Sequence, residues 1–204
     1  MTTSRQASMP ALRITKNGTH LCTVGSNDVW MFSADVQADI WGPACAQLTV
    51  TGSGKRRPDG ASDFLIWEMA HELHKGDHLA FSFEDGAESS PKGSVIDDED
   101  SGEDERNDLV ASEEEIARME VRPKSNPDCR WRFLVPNAQE ILVTPDDDRQ
   151  NLSLHILWNE MRAHRMRASL SKTSLREIMN RSEGEEVFLH YFEHAARIEL
   201  VIET

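Results

Sequence analysis

One pattern occurs twice in this chain, and a recurring pattern constrains architecture more tightly than any local propensity. Ile66-Trp67-Glu68-Met69, then Gly76, then Leu79-Ala80-Phe81-Ser82-Phe83-Glu84 recur as Leu175-Arg176-Glu177-Ile178, then Gly184, then Val187-Phe188-Leu189-His190-Tyr191-Phe192-Glu193. A second match sets Ala117-Arg118-Met119-Glu120-Val121 against Ala196-Arg197-Ile198-Glu199-Leu200. Copies of one unit carry equivalent apolar faces, and these meet most simply about an approximate two-fold. The expected fold class is therefore α+β: a tandem duplication of a mostly antiparallel unit, about ββββ-α-ββ, packed as an intramolecular pseudo-dimer.

Local signals fill in each unit. Leu12–Thr15 and Thr19–Val24 flank Lys16-Asn17-Gly18, and Asn-Gly takes the positive φ of a tight hairpin turn. Val29 to Val36 and Ala46 to Thr51 are β-rich. The spacing of Phe64, Leu65, Trp67, Met69 and Leu73 predicts a helix from Ser62 to His74, with Gly76 as its stop. His78 to Glu84 alternates as a half-buried strand does. In the second unit Trp131–Val135, Glu140–Thr144, Leu152–Trp158 and Ala163–Leu170 are strands. Ser174 and Glu177 have capping-box spacing for a short helix, and strands about Phe188–Phe192 and Arg197–Ile202 close the unit.

On this reading residues 1–11 are a flexible N-terminus, 12–122 the first unit, 123–128 a proline-flanked linker and 129–204 the second unit. The strand match at 117–121 places an acidic run inside the first unit, as an expanded hairpin loop over about 85–116.

That run holds most of the chain's charge. The formal net charge is −14, yet residues 85–115 alone contain thirteen acidic and two basic side chains. Such charge resists burial, so the stretch is expected to be intrinsically disordered. Three roles suit it: docking on a basic partner, imitating nucleic-acid charge, or covering basic residues of the same chain. Cys22, Cys45 and Cys129 are odd in number and lack CxxC spacing, which points to reduced thiols and a cytoplasmic setting. No apolar stretch approaches the ~20 residues that cross a bilayer, and the first ten residues lack a signal-peptide core.

Each candidate catalytic or metal pattern fails on spacing. His71 and His74 are one residue short of the i,i+4 pair in HExxH, and His78 lies beyond them. Thr51-Gly52-Ser53-Gly54-Lys55-Arg56-Arg57 has Thr49 and Arg56 where a phosphate-binding P-loop needs Gly and Ser or Thr. No nucleophile elbow or reactive-cysteine setting occurs. Glu68 and Glu177 read as matched helix carboxylates in surface or capping roles. The Trp residues 30, 41, 67, 131 and 158 sit on apolar faces, which makes them core before stacking platforms. No catalytic residue, cofactor or metal ligand is assigned.

Two surfaces remain. Asp97, Asp98, Glu99, Asp100, Glu103, Asp104 and Glu105 are the candidate partner-binding acidic loop. Lys55, Arg56 and Arg57 with Arg165 and Arg167, which share one face of a strand, form a candidate surface for anionic ligands. The expected function is a non-enzymatic protein-interaction module, an adaptor, inhibitor or immunity-type protein, with a protein partner of basic surface. The alternative is a nucleic-acid-binding regulatory protein using the basic face. No membrane partner is expected.

Overall fold

A computed structural model of the chain describes residues 10–86, 88–96, 112–136, 139–146 and 148–203. Antiparallel strands dominate it, with few helices. The strands are β1 (Pro10–Lys16), β2 (Thr19–Gly25), β3 (Val29–Ala38), β4 (Ala46–Gly54), β5 (Phe64–Leu73), β6 (His78–Asp85) and β7 (Ser94–Ile96), followed by β8 (Arg130–Val135), β9 (Gln139–Val143), β10 (Asn151–Asn159), β11 (Arg165–Thr173), β12 (Glu185–Glu193) and β13 (Arg197–Glu203). Two short helices are α1 (Glu113–Glu120) and α2 (Leu175–Met179).

The first hairpin forms as its turn chemistry dictates. Asn17 and Gly18 have φ of 53° and 77°, the two positive values of the turn that matches strand twist. Alternation then decides which face each strand buries. In β4 and β10 every second residue is buried along the whole strand, as a period of two requires when one face meets a core.

The strands assemble into two sheets. The first has the order β2-β1-β6-β13-β8-β9, and the second β12-β11-β10-β3-β4-β5-β7. Their inner faces share one continuous core, with Leu12, Ile14, Phe81, Phe83, Trp131 and Phe133 from the first sheet. Phe32, Leu48, Trp158 and Leu170 come from the second. Strands from before and after the acidic run meet in the middle of both sheets, as β6 with β13 and β3 with β10. At the latter joint Phe32 and Trp158 stack with centroids 5.2 Å apart.

One open side of this sandwich is closed by the chain itself. Residues 88–96 run from the edge of the first sheet to the edge of the second. Thr23 of β2 and Ser90 exchange backbone hydrogen bonds of 2.8 and 3.0 Å, and the Trp67 indole donates to the Pro91 carbonyl at 3.1 Å. A Cβ at Gly93 would lie 2.9 Å from the Trp67 ring, so this position needs glycine to approach it. β7 then pairs with β5.

Two expected elements are corrected. Residues 64–73 form strand β5 where a helix was expected. β5 pairs with β4 through two register shifts, and Ala70 takes φ of 51°. Bulges break the alternation of a strand: Met69 is 70% exposed between the buried Trp67 and Leu73. The apolar residues of this stretch therefore lose a clean period of two, and its Glu, Met, Ala and Leu content favours a helix instead. Residues 117–120, expected to be a strand, lie in α1. Ser112 and Glu115 cap it reciprocally, and Glu113, Glu114 and Glu115 fill its first turn, where carboxylates oppose the helix dipole favourably. The strand match that put the acidic run inside the first hairpin therefore falls. β13 does close the chain as a strand, between β6 and β8.

Candidate interaction surface

Cross-strand registers set out the solvent-facing side of the second sheet in rows. One reads Asn159, Met31, Ser53, Phe64 and Ile96, with Arg165 opposite Glu193 on the neighbouring strands; the next reads Tyr191, Arg167, Leu157, Ser33, Thr51, Ile66 and Ser94. A third contains Leu189, Ser169, His155, Asp35 and Thr49. The face is thus a band of hydroxyls, exemplified by Ser33 and Thr51 with oxygens 3.1 Å apart, bordered by apolar groups. Phe64 and Ile96 stand directly opposite one another and are 46% and 42% exposed. Leu189 and Tyr191 are exposed at the other border.

The basic residues singled out from sequence lie around one end of this sheet, and each is engaged. Lys55 reaches Glu160 at 3.1 Å and Arg57 reaches Asp63 at 2.8 Å. The Arg56 guanidinium lies 4.5 Å from the Trp30 ring centre, and that of Arg165 lies 4.4 Å from Tyr191. Arg167 Nη2 donates to His155 Nδ1 at 3.2 Å. Since arginine only donates, the His155 proton sits on Nε2, which faces Asp35 at 3.6 Å. Burial holds His155 below the usual histidine range, with Asp35 opposing that shift and Arg167 reinforcing it. The acidic candidates Asp97, Asp98, Glu99, Asp100, Glu103, Asp104 and Glu105 lie outside the described residues.

The histidines of the pseudo-motif separate. His71 pairs with Glu68 at 3.2 Å at the inner edge of β5, His74 approaches Glu72 at 3.7 Å, and His78 contacts Glu199 of β13 at 2.6 Å. Among the described residues no three His, Cys, Asp or Glu side chains converge on a metal-holding arrangement. All three cysteines are free thiols. Burial pushes the Cys22 thiol up to about 12, and burial with neighbouring Cys45 does the same for Cys129. Protonated thiols of this kind are poor nucleophiles and serve as core.

Glu68 and Glu177 do not share a role, because only Glu177 is helical. It receives the Arg149 guanidinium at 2.9 and 3.1 Å and the Ser174 N–H at 2.8 Å. Those contacts, Arg149 first, hold its carboxyl at about 2. Arg176 likewise grips Glu113 at 2.7 Å and Glu120 at 2.8 Å, which ties α1 to α2.

Sequence reasoning missed this clamp and the strap over 88–96. The Ser174–Glu177 capping box located α2, but the Ser112–Glu115 box of α1 went unread, and nothing in one sequence pairs Arg176 with residues some sixty positions earlier. No helix among the described residues is long and apolar enough to cross a membrane. No protein-family model, curated protein or solved structure matches this chain.

Proposed function

We propose that this protein is a non-enzymatic protein-interaction module, of the adaptor, inhibitor or immunity kind, acting in a reducing cytoplasmic setting. The observation that carries the reading is the solvent-facing side of the second sheet. It is seven strands wide, rich in hydroxyls and bordered by the exposed apolar pair Phe64 and Ile96. Exposed large apolar groups rimmed by polar ones suit protein recognition, with aromatic anchors supplying most of the binding energy. The acidic stretch begins at Asp97, next in sequence to Ile96. Its charge steers a basic partner toward that border, an effect screened over ~10 Å at 0.1 M salt.

Two like units are part of this proposal. In each sheet, adding seven to a strand number exchanges the two halves: β1 for β8, β3 for β10, β6 for β13. That order supports a tandem duplication packed about an approximate two-fold, with units over β1–β6 and β8–β13. The acidic run then joins the units instead of expanding a hairpin in one of them.

The test is co-purification from the native host with mass-spectrometric identification of what is bound. Phe64→Glu with Ile96→Glu should abolish capture of a protein partner, and deletion of residues 98–111 should weaken it at low salt only. Capture unchanged in both variants would overturn the reading.

Nucleic-acid binding is the second reading, favoured by the grouping of Lys55, Arg56, Arg57, Arg165 and Arg167 around one end of the sheet. It requires that Arg165→Glu with Arg167→Glu lower affinity for a single-stranded oligonucleotide and flatten its salt dependence.

A further inference from the structure

We propose that the free edge of β12 is a docking site for an extended, basic segment of another protein. This deepens the interaction reading above and rests on it. The two open sides of the sandwich differ. On the β2–β5 side, residues 88–96 bridge the sheets and add β7 to the edge. On the β9–β12 side, β12 ends its sheet with nine residues and no further strand among the described residues. Under the offset of seven, β12 stands where β5 stands. The chain therefore displays on one side the kind of occupant that no described residue supplies on the other.

The β9–β12 side offers a matching site. A groove of about 660 Å³ runs between β12 and Val135–Pro136 at the end of β8, with Phe188, His190 and Phe192 along it. Phe188 meets Phe133 edge-on at 5.3 Å and His190 meets Phe192 at 4.9 Å, so the aromatic floor is already ordered. On the strapped side, the corresponding floor is Trp67, covered by Pro91 and Gly93. A strand laid along β12 would satisfy its outward backbone groups and cover this floor, which is how edge strands capture extended peptides.

Charge selects the occupant. Glu183, Glu186 and Glu193 are exposed and make no ion pair with another described residue, and Glu140 of β9 is exposed on the same side. A second copy is a poor fit: two β12 strands paired antiparallel about Leu189 would set Glu185 against Glu193 at both ends, and like charges opposite one another repel. A segment carrying Lys or Arg around a short apolar core fits instead.

The probe is a synthetic nonapeptide with the sequence of residues 88–96 and Lys in place of Glu88, titrated into the full-length, isotope-labelled protein. Saturable amide shifts over Glu185–Glu193 and Val135 are expected in the NMR spectrum. Glu186→Lys with Glu193→Lys should weaken binding roughly threefold per reversed charge. A peptide with Val95→Pro should fail to bind, because proline cannot complete a ladder. No saturable shift at millimolar peptide, shifts confined to β5 and β7, or equal binding by the proline peptide would overturn the proposal. The last result would mean that the glutamates attract cations without strand pairing. Capture of a native partner unaffected by the two Lys substitutions would remove this edge while leaving the interaction reading intact.

Discussion

Single side chains divide here into those fixed by local chemistry and those fixed by distant partners. Glu177 shows both. Its capping of Ser174 is local and legible in the spacing Ser-x-x-Glu, whereas Arg149, its stronger partner, comes from another part of the chain. The carboxyl is held at about 2, below the ~4.3 of an unfolded chain. A depressed folded value means the unfolded state takes up the proton first. The stabilisation is therefore complete above about pH 5 and disappears as pH falls toward 2. Glu177→Gln keeps the capping geometry and removes the charge. Its urea midpoint should decline less steeply than the parent's between pH 5 and pH 2, and parallel declines would count against the Arg149 contact.

At the scale of elements, the helices depend on each other more than on the sheets. α1 has eight residues, too few to persist in water without tertiary contacts. It buries only Ile116, and its acidic ends are gripped by Arg176. Arg176→Ala should raise amide hydrogen exchange across residues 113–120 by at least tenfold while leaving β3, β4, β10 and β11 protected. Unchanged protection would mean that Ile116 alone holds the helix. β5 gives the complementary lesson. Its Glu, Met, Ala and Leu content favours a helix, yet pairing with β4 on one edge and β7 on the other overrides that preference.

For the whole molecule, the decisive feature is that both sheets run through both halves of the chain. A core shared in this way predicts one cooperative unfolding transition. Phe32 stacks on Trp158 where the halves meet and is fully buried. Phe32→Ala should cost about 3–5 kcal/mol and lower the single melting transition seen by fluorescence and by circular dichroism together. Two separated transitions would show that the halves fold independently. Strand positions were legible because the period of two survives wherever one face is buried, as in β4 and β10. The Asn17-Gly18 turn and the Ser174–Glu177 capping box were legible because their chemistry lies within a few residues, whereas the Ser112–Glu115 box was obscured by the strand match over 117–121. The candidate surface was half legible: Arg165 and Arg167 on one strand face could be read, but not their alignment with Phe64, Ile96 and Lys55. By itself, the sequence determined the alternating strands, the Asn17-Gly18 turn, the cap of α2 and the concentration of charge between two near-neutral halves. Only the tertiary structure decided that 64–73 is a strand, that 88–96 closes one side of the sandwich, and that no described strand covers β12 on the other. Those outcomes depend on which edges meet in space, and hydrogen bonding between distant segments leaves no periodic trace in either one.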